Sequence, residues 1–487
     1  MKQTVIYDNS VKPNEIIREI IGSRGFGNVV VRRKPLEQYF RESIRNIFGD
    51  ISVRTVNNAY DLEQLADSLG MSDDEDIHVI HCFSDFVVSD DDEIALTYKK
   101  LPYITDTVRV AYDRQTAALM FPDRKSYAAF LRRLAGRQKF ADVLDETEHG
   151  TISLDKGLLY IGDVSNFIQC ITGNFDSRYF NSLRGDDYIL RKNSTDKKKI
   201  KSEYTFYHLL PENMQRWFVL PFDYRETDTE ASYAMERLHM PDIAIRWVHG
   251  SINTEEFSEL MDRYFYFLNE RPSRPVSREQ YESVSRRLYV DKVSQRIEKL
   301  KANPKYARIA VLLSNQDRIR SIDDIYQWYL DLKEKVEKKT SYKMESVIGH
   351  GDPGFANALY NRSTKMLKFV DPKGALTEEE LWTNPYYDVA KLSHCVCGLY
   401  DFFNNAMFDI SIDENFGYQL SIPFDNTEYK RIFREKAESN GYDFLSVRLY
   451  EASLFISMLP LHMDYPQKVF GFILNAVNIL KEIEENV

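Results

Sequence analysis

The chain has little cysteine, a deficit of positive charge and no long apolar run, and each shortage excludes a class of protein. Only four Cys occur in 487 residues: Cys82, Cys170, Cys395 and Cys397. So few and so scattered, they build no disulfide scaffold, and a reducing cytoplasm is the expected compartment. Lys and Arg number 64 against 75 Asp and Glu, a formal net charge of −11. That argues against nucleic acid or an anionic membrane surface as a partner, while leaving room for a local basic pocket around a phosphate. The opening residues, MKQTVIYDNSVKPNE, hold no apolar h-region, so no secretory signal is expected. No apolar run reaches the roughly 18 residues of a membrane helix. The nearest, SLFISMLPLHM, is broken by Pro460 and His462 and reads as a buried helix end, so membrane insertion is not expected. Internal repeats and low-complexity tracts are also missing. What is present is 43% hydrophobic and 13% aromatic residues, enough for two or three domains with real cores.

Periodicity divides the chain. Over residues 1–145 short apolar runs (TVIY, NVVVRR, ISVRTV, DIHVIHCFSDFVVSD) alternate with helical patterns (NEIIREII, LEQYFRESIRNIF, DLEQLADSLGM, SYAAFLRRLAG), the pattern of a small α/β domain. Residues 146–163 lose the helical pattern and hold Gly150, Gly157 and Gly162, as a linker would. Within 164–250, FIQCITG, YFNSL, DYILRK, WFVLPFDY and SYAMERL read as strands of an antiparallel sheet, with KKIKSEYTFYHLLP as a helix that stops before Pro211. From 251 to 487 helices dominate: EEFSELMDRYFYFLNE, SIDDIYQWYLDLKEKVEKK and two or three more after 380. The expected class is therefore α+β, a β-rich lobe followed by a helical lobe, with the α/β domain ahead of both.

One stretch interrupts the helical half: VIGHGDPGFANALYNRSTKMLKFVDPKGAL, residues 347–376. His350-Gly-Asp352-Pro-Gly cannot continue a helix, and Gly351 permits an unusual turn before Asp352. ALY and MLKFV form a hairpin about NRST, so Asp352 and Asn357 on one side face Asp371 on the other. Three oxygen-bearing side chains then converge at the open end of a small sheet. Mg²⁺ prefers hard oxygen ligands and shares them with phosphates. Asn357 and Asp371 suit such a metal, and Asp352 suits an acceptor of a hydroxyl proton. This is the chemistry of phosphoryl transfer, where positioning and charge neutralisation dominate.

The ordered set His350-Gly-Asp352-x4-Asn357, then Asp371 after a hairpin, resembles the catalytic loop and metal aspartate of the aminoglycoside phosphotransferase and choline kinase-like family, which has the protein-kinase-like fold. The resemblance spans about 164–480. It implies Asp352 as base, Asn357 and Asp371 as Mg²⁺ ligands, His350 and Asp388 as braces of the loop, and ATP as phosphate donor. It also implies a strand cation on the nucleotide phosphates, from Arg191 or Lys192 in DYILRKNS. Strand alternation lets only one of them face the cleft, and Lys192 is favoured. Glu203, eleven residues on and beside Tyr204, Tyr207 and Leu210, would pair with that cation. Met235, Glu236 and Arg237 would run past the adenine, and Gly173, Asn174 and Ser177 would lie in the phosphate-covering loop. The sequence departs from ordinary protein kinases: His-Gly-Asp stands for His-Arg-Asp and Asp-Pro-Lys for Asp-Phe-Gly, and Gly-x-Gly-x-x-Gly and Ala-Pro-Glu are missing. A small-molecule acceptor is the expected partner: a hydroxyl of a sugar, polyol or amino alcohol, in a setting such as surface-polysaccharide metabolism.

Other features have plainer readings. GSRGFGNVVV, from Gly22, follows a helix and precedes a strand, the reverse of a dinucleotide fingerprint, so Gly22 or Gly25 reads as a helix stop. The acid runs SDDED (72–76) and SDDDE (89–93) read as solvated loops. Asp85, at a strand end, resembles the metal aspartate of glycosyltransferase-A-like and sugar-nucleotidyltransferase domains, though the Gly-rich start of the latter is missing. In HCVC, Cys395 and Cys397 would point about 200° apart on a helix, so core cysteines and a packed His394 are expected rather than zinc. Two rival functions follow: a nucleotide-binding pseudokinase or scaffold, and a glycosyl- or nucleotidyltransferase acting through the N-terminal domain.

Overall fold

The computed structural model describes residues 2–70, 77–135, 143–144, 149–172, 181–185, 188–314, 320–414 and 417–487. Its contacts divide the chain into two compact units, Met1–Gly173 and Asn174–Val487.

The first unit is a mixed six-stranded sheet. Its strand Lys2–Asp8, second from one edge, pairs in parallel with Ser52–Val56 on one side and Ile77–Phe83 on the other. An antiparallel hairpin, Val108–Tyr112 and Gln115–Phe121, extends the sheet beyond Ile77–Phe83. No glycine marks that hairpin in the sequence, because its turn, Asp113-Arg114, uses two positive-φ residues of other types. Two expectations fail here. NVVVRR is a 3₁₀ turn, Phe26–Asn28, and a two-residue strand, not a full strand. FIQCIT, expected with Gly173 as a strand, lies in the helix Val164–Thr172 of the first unit. Its apolar residues Phe167, Ile168 and Cys170 suit either period in so short a run. Gly22 does stop a helix, at φ +68 with its N–H on Arg18 O. The acid run at 89–93 caps a helix, since Asp90 accepts from the N–H groups of Asp92 and Glu93 to start Asp91–Tyr98. The run at 72–76 lies outside the described residues. Asp85 follows Ile77–Phe83, and burial pushes its carboxyl up to about 7.

The second unit is α+β with two lobes, as expected. Its small lobe is a four-stranded antiparallel sheet in the order Asn181–Gly185, Ile189–Ser194, Ala231–Glu236, Pro221–Glu226. The helix Lys197–Leu209 packs on this sheet, its N-terminus capped by Asp196 on Lys199 N–H. Its buried face is Ile200, Glu203 and Phe206; of the apolar face expected beside Glu203, Leu210 at the C-cap is buried, while Tyr204 and Tyr207 are only partly buried. The 3.6-residue period therefore buries Glu203 itself, a carboxylate on the apolar side of its helix.

The large lobe is helical around one extended core. Among the described residues five α-helices follow residue 380 rather than two or three: Tyr386–Val396, Tyr400–Asn404, Thr427–Ser439, Phe444–Met458 and Pro466–Asn486. The stretch Phe444–His462 is long and apolar enough to cross a membrane by length and composition, beyond what its Pro460 break implied, yet 83% of its window is buried in this core. Arg448 and Glu451 pair within it, and Ser393 also donates to Glu451. The conspicuous β element is the hairpin Ala358–Asn361 with Met366–Phe369, carried between helices.

Candidate active site

The loop at residues 349–357 is held by a buried carboxylate. Asp388, fully buried, accepts the backbone N–H of His350 and of Gly351, each at 2.9 Å. Arg271 Nη1 donates to the same carboxylate at 3.0 Å, and neither side chain of that pair is exposed. His350 ties the two arms of the hairpin. Its Nδ1 accepts Asp352 N–H at 3.1 Å, so the proton sits on Nε2, which donates to Val370 O at 3.1 Å. Burial lowers the His350 pKa, and the neighbouring carboxylates only partly oppose it. Phe218 stacks on it at 5.5 Å. Gly351 sits at φ +82, and a Cβ there would come within 2.6 Å of Lys373 Cβ, so the turn before Asp352 requires glycine.

Hydrogen bonds to backbone groups link Asn357 to Asp352 and to Val370, the residue before Asp371. Asn357 donates its amide N–H to Asp352 O at 2.9 Å, which leaves its Oδ1 to face away from that bond. Val370 N–H binds Asn357 O at 3.0 Å and sets Asp371 opposite. Asp371 adopts a left-handed φ of +53, uncommon outside glycine. The following residues dock on the small lobe: Ala375 N–H binds Ser202 O at 3.0 Å.

Lys192 joins the lobes. Its ammonium lies 2.8 Å from Glu203 Oε2 and 2.8 Å from Asp371 Oδ1. Burial alone would lower the Lys192 pKa, but Asp371 and Glu203 outweigh it and hold the ammonium charged, with its pKa raised. Tyr233 OH also donates to Glu203, at 3.2 Å. Arg191, next in the strand, points the other way, onto Asp223 and Ser232. Met235 and Glu236 close the strand Ala231–Glu236, Met235 buried and Glu236 exposed, and Arg237 N–H binds Tyr188 O at 2.9 Å. Gly173, Asn174 and Ser177 lie outside the described residues.

Sequence reasoning missed Lys391. Its ammonium sits 3.0 Å from Asp352 Oδ1 and is mostly buried, while the Asp352 side chain is about half exposed. Burial pushes the Asp352 carboxyl up, but Lys391, with His350 and Lys292 behind it, pulls it further down, below the ordinary carboxylate range. Asp388 and Lys391 are three residues apart on one helix, so a shared face was readable from spacing. Arg271, beyond the end of Thr254–Glu270, offered no such signal. His394 is packed as expected, stacked on Tyr400 at 4.3 Å, and Cys395 is buried with its Sγ accepting Phe355 N–H.

The donor chemistry fits Mg²⁺. Among the described residues no three His, Cys, Asp or Glu side chains group as a metal cage. Mg²⁺ needs none when one or two protein oxygens combine with phosphates and water. Asn357 Oδ1 and the half-exposed Asp371 carboxylate would provide such oxygens.

No protein-family model matches the chain, and no curated protein matches it. Solved structures with some likeness include a thermostable mutant of the aminoglycoside phosphotransferase APH(4)-Ia in its apo form, at 12% identity and a TM-score of 0.35, covering 62% of this chain and 94% of that one. Plasmodium vivax ethanolamine kinase follows at 11% identity and 0.37, covering 62% and 78%. An aminoglycoside-3'-phosphotransferase of type VIII stands at 12% and 0.34, covering 59% and 92%. These likenesses are too slight to assign a family, and none of them supports a glycosyltransferase-like reading of residues 1–145.

Proposed function

We propose that residues 174–487 form an ATP- and Mg²⁺-dependent phosphotransferase that moves the γ-phosphate to a hydroxyl of a small polar acceptor. The observation that carries this is the Lys192 ammonium held between Glu203 and Asp371, with Asp352 presented on a loop clamped by Asp388. In this reading Lys192 neutralises the nucleotide phosphates, and Glu203 fixes its direction. Asn357 and Asp371 would hold Mg²⁺, which would offset the charge of the phosphates. Asp352 accepts a hydrogen bond from the acceptor hydroxyl and orients it. The hydroxyl oxygen forms a bond to the γ-phosphorus, the bond from that phosphorus to the ADP oxygen breaks, and the hydroxyl proton passes to Asp352. The backbone at Met235–Arg237 lines the adenine. The acceptor class is a sugar, polyol or amino alcohol, met in the cytoplasm and in a pathway such as surface-polysaccharide assembly.

The test is γ-phosphate transfer from Mg²⁺-ATP by the full chain, with the phosphorylated product identified by mass spectrometry across a metabolite set. Asp371→Ala is expected to weaken Mg²⁺-dependent ATP binding by at least about tenfold, the loss of a charged ligand interaction of roughly 1.5–3 kcal/mol. Titration calorimetry with and without Mg²⁺ measures it, and an unchanged Mg²⁺ dependence removes Asp371 from the metal.

Lys391 sets a pH dependence. Because the folded-state pKa of Asp352 is lowered, the carboxylate stays ionised through the ordinary carboxylate range, and activity is lost only as pH falls through the depressed value. Stability from the pair has the same sign: present above the ordinary range, lost on acidification. Lys391→Met is expected to move the acid limb of kcat to higher pH. An acid limb that does not move means Lys391 leaves the base untuned.

A further inference from the structure

One face of the Asp352 loop is cationic in a chain that is anionic overall. Lys391 meets Asp352, and one turn earlier on the same helix Tyr387 OH accepts Lys292 Nζ at 2.9 Å. A cavity of about 50 Å³ beside the loop is lined by Gly351 and Tyr387 together with Arg287 and Lys373. That is far below the ~300 Å³ of a pocket enclosing a whole ligand, so it takes one substituent of a larger molecule. Among the described residues, no ion pair joins Arg287, Lys292 or Lys373 to a carboxylate. One carboxylate, Glu380, does line the cavity, and it accepts the backbone N–H of Leu376.

The backbone supplies an independent pointer. Between the helices Arg278–Arg286 and Lys292–Lys301 lies a five-residue π-helical segment, Arg287–Asp291, closed by Lys292 N–H on Arg287 O. In an α-helix residues five apart are about 140° out of register. The i→i+5 bond of a π turn draws them toward one side, and such turns recur at functional sites. Here the wide turn sets Arg287 at the cavity and Lys292 on Tyr387, so the two cations serve the same side of the loop.

We infer that the acceptor alcohol already carries an anionic group, a phosphate ester or a carboxylate, bound by Arg287, Lys292 and Lys373 while its free hydroxyl faces Asp352. This rests on the phosphotransferase reading and narrows it: a free amino alcohol, cationic at neutral pH, would be repelled from this face. Arg287 and Lys373 are not part of the buried core, so replacing them leaves that core intact.

The full chain with Mg²⁺-ATP is offered three sets of hydroxyl compounds: phosphorylated sugars and sugar acids, their neutral parents, and amino sugars with amino alcohols. Transfer confined to the anionic set is expected, and the phosphate and carboxylate arms tell the two anions apart. Arg287→Ser and Lys373→Met are each expected to raise KM for that acceptor roughly 10- to 100-fold, the worth of a charge-assisted hydrogen bond, with a much smaller change in kcat. Neutral or amino acceptors used as well as anionic ones, or an unmoved KM in both variants, overturns the anion site and leaves the phosphotransferase standing. No transfer to any of the three sets overturns both.

Discussion

Replacing Asp352 by Asn is expected to lower kcat about 10²- to 10⁴-fold, the usual contribution of a positioned general base, with ATP affinity nearly unchanged. The asymmetry follows from the geometry. Lys192, Glu203 and Asp371 form one junction at 2.8 Å contacts, and Asp352 lies outside it, paired with Lys391. An amide keeps the size of the side chain and its place on the loop, because the loop is held by His350, Asn357 and Asp388 through backbone groups. What is lost is the ability to take a proton. Single-turnover transfer and nucleotide titration separate the two quantities. Intact transfer in this variant would falsify the assignment of the base, and lost nucleotide binding would move Asp352 into the phosphate site.

Asp388→Ala is expected to destabilise the second unit by about 3–5 kcal/mol, the cost of breaking a buried pair by removing one partner. Arg271 and Asp388 have no exposed side-chain surface, so the guanidinium is left charged and without its carboxylate in the core. The N–H groups of His350 and Gly351 lose their acceptor as well. Urea unfolding of the full chain, followed by Trp fluorescence, reads the change, since all four Trp (Trp217, Trp247, Trp328, Trp382) lie in the second unit. Asp388→Asn retains one acceptor oxygen and is expected to fall between Asp388→Ala and the unchanged protein. A midpoint that stays put in Asp388→Ala would show that the loop is held by other means.

Much of the site was legible because it is local. His350, Asp352 and Asn357 share one loop, and a four-residue turn returns the chain to Asp371, so spacing and turn chemistry were enough to bring them together. Alternation along Ile189–Ser194 limited the cleft-facing cation to Arg191 or Lys192 for the same reason. The misreadings also have physical causes. FIQCITG is too short for periodicity to separate strand from helix. The helices after 380 were undercounted because Phe444–Met458 is buried on every side and has no polar stripe to mark it.

The sequence by itself determined the candidate loop at 349–357, the two-lobed α+β order and the candidate metal oxygens, since each depends on neighbours within a few residues. Only the tertiary structure decided which strand cation reaches Asp371, that Glu203 is buried, that Arg271 backs Asp388, and that Lys391 and a π turn make one face of the loop cationic. Those pairings join residues 117 and 179 positions apart in the cases of Arg271–Asp388 and Lys192–Asp371. Contacts at such separations are set by how helices and strands pack, and no local pattern encodes them.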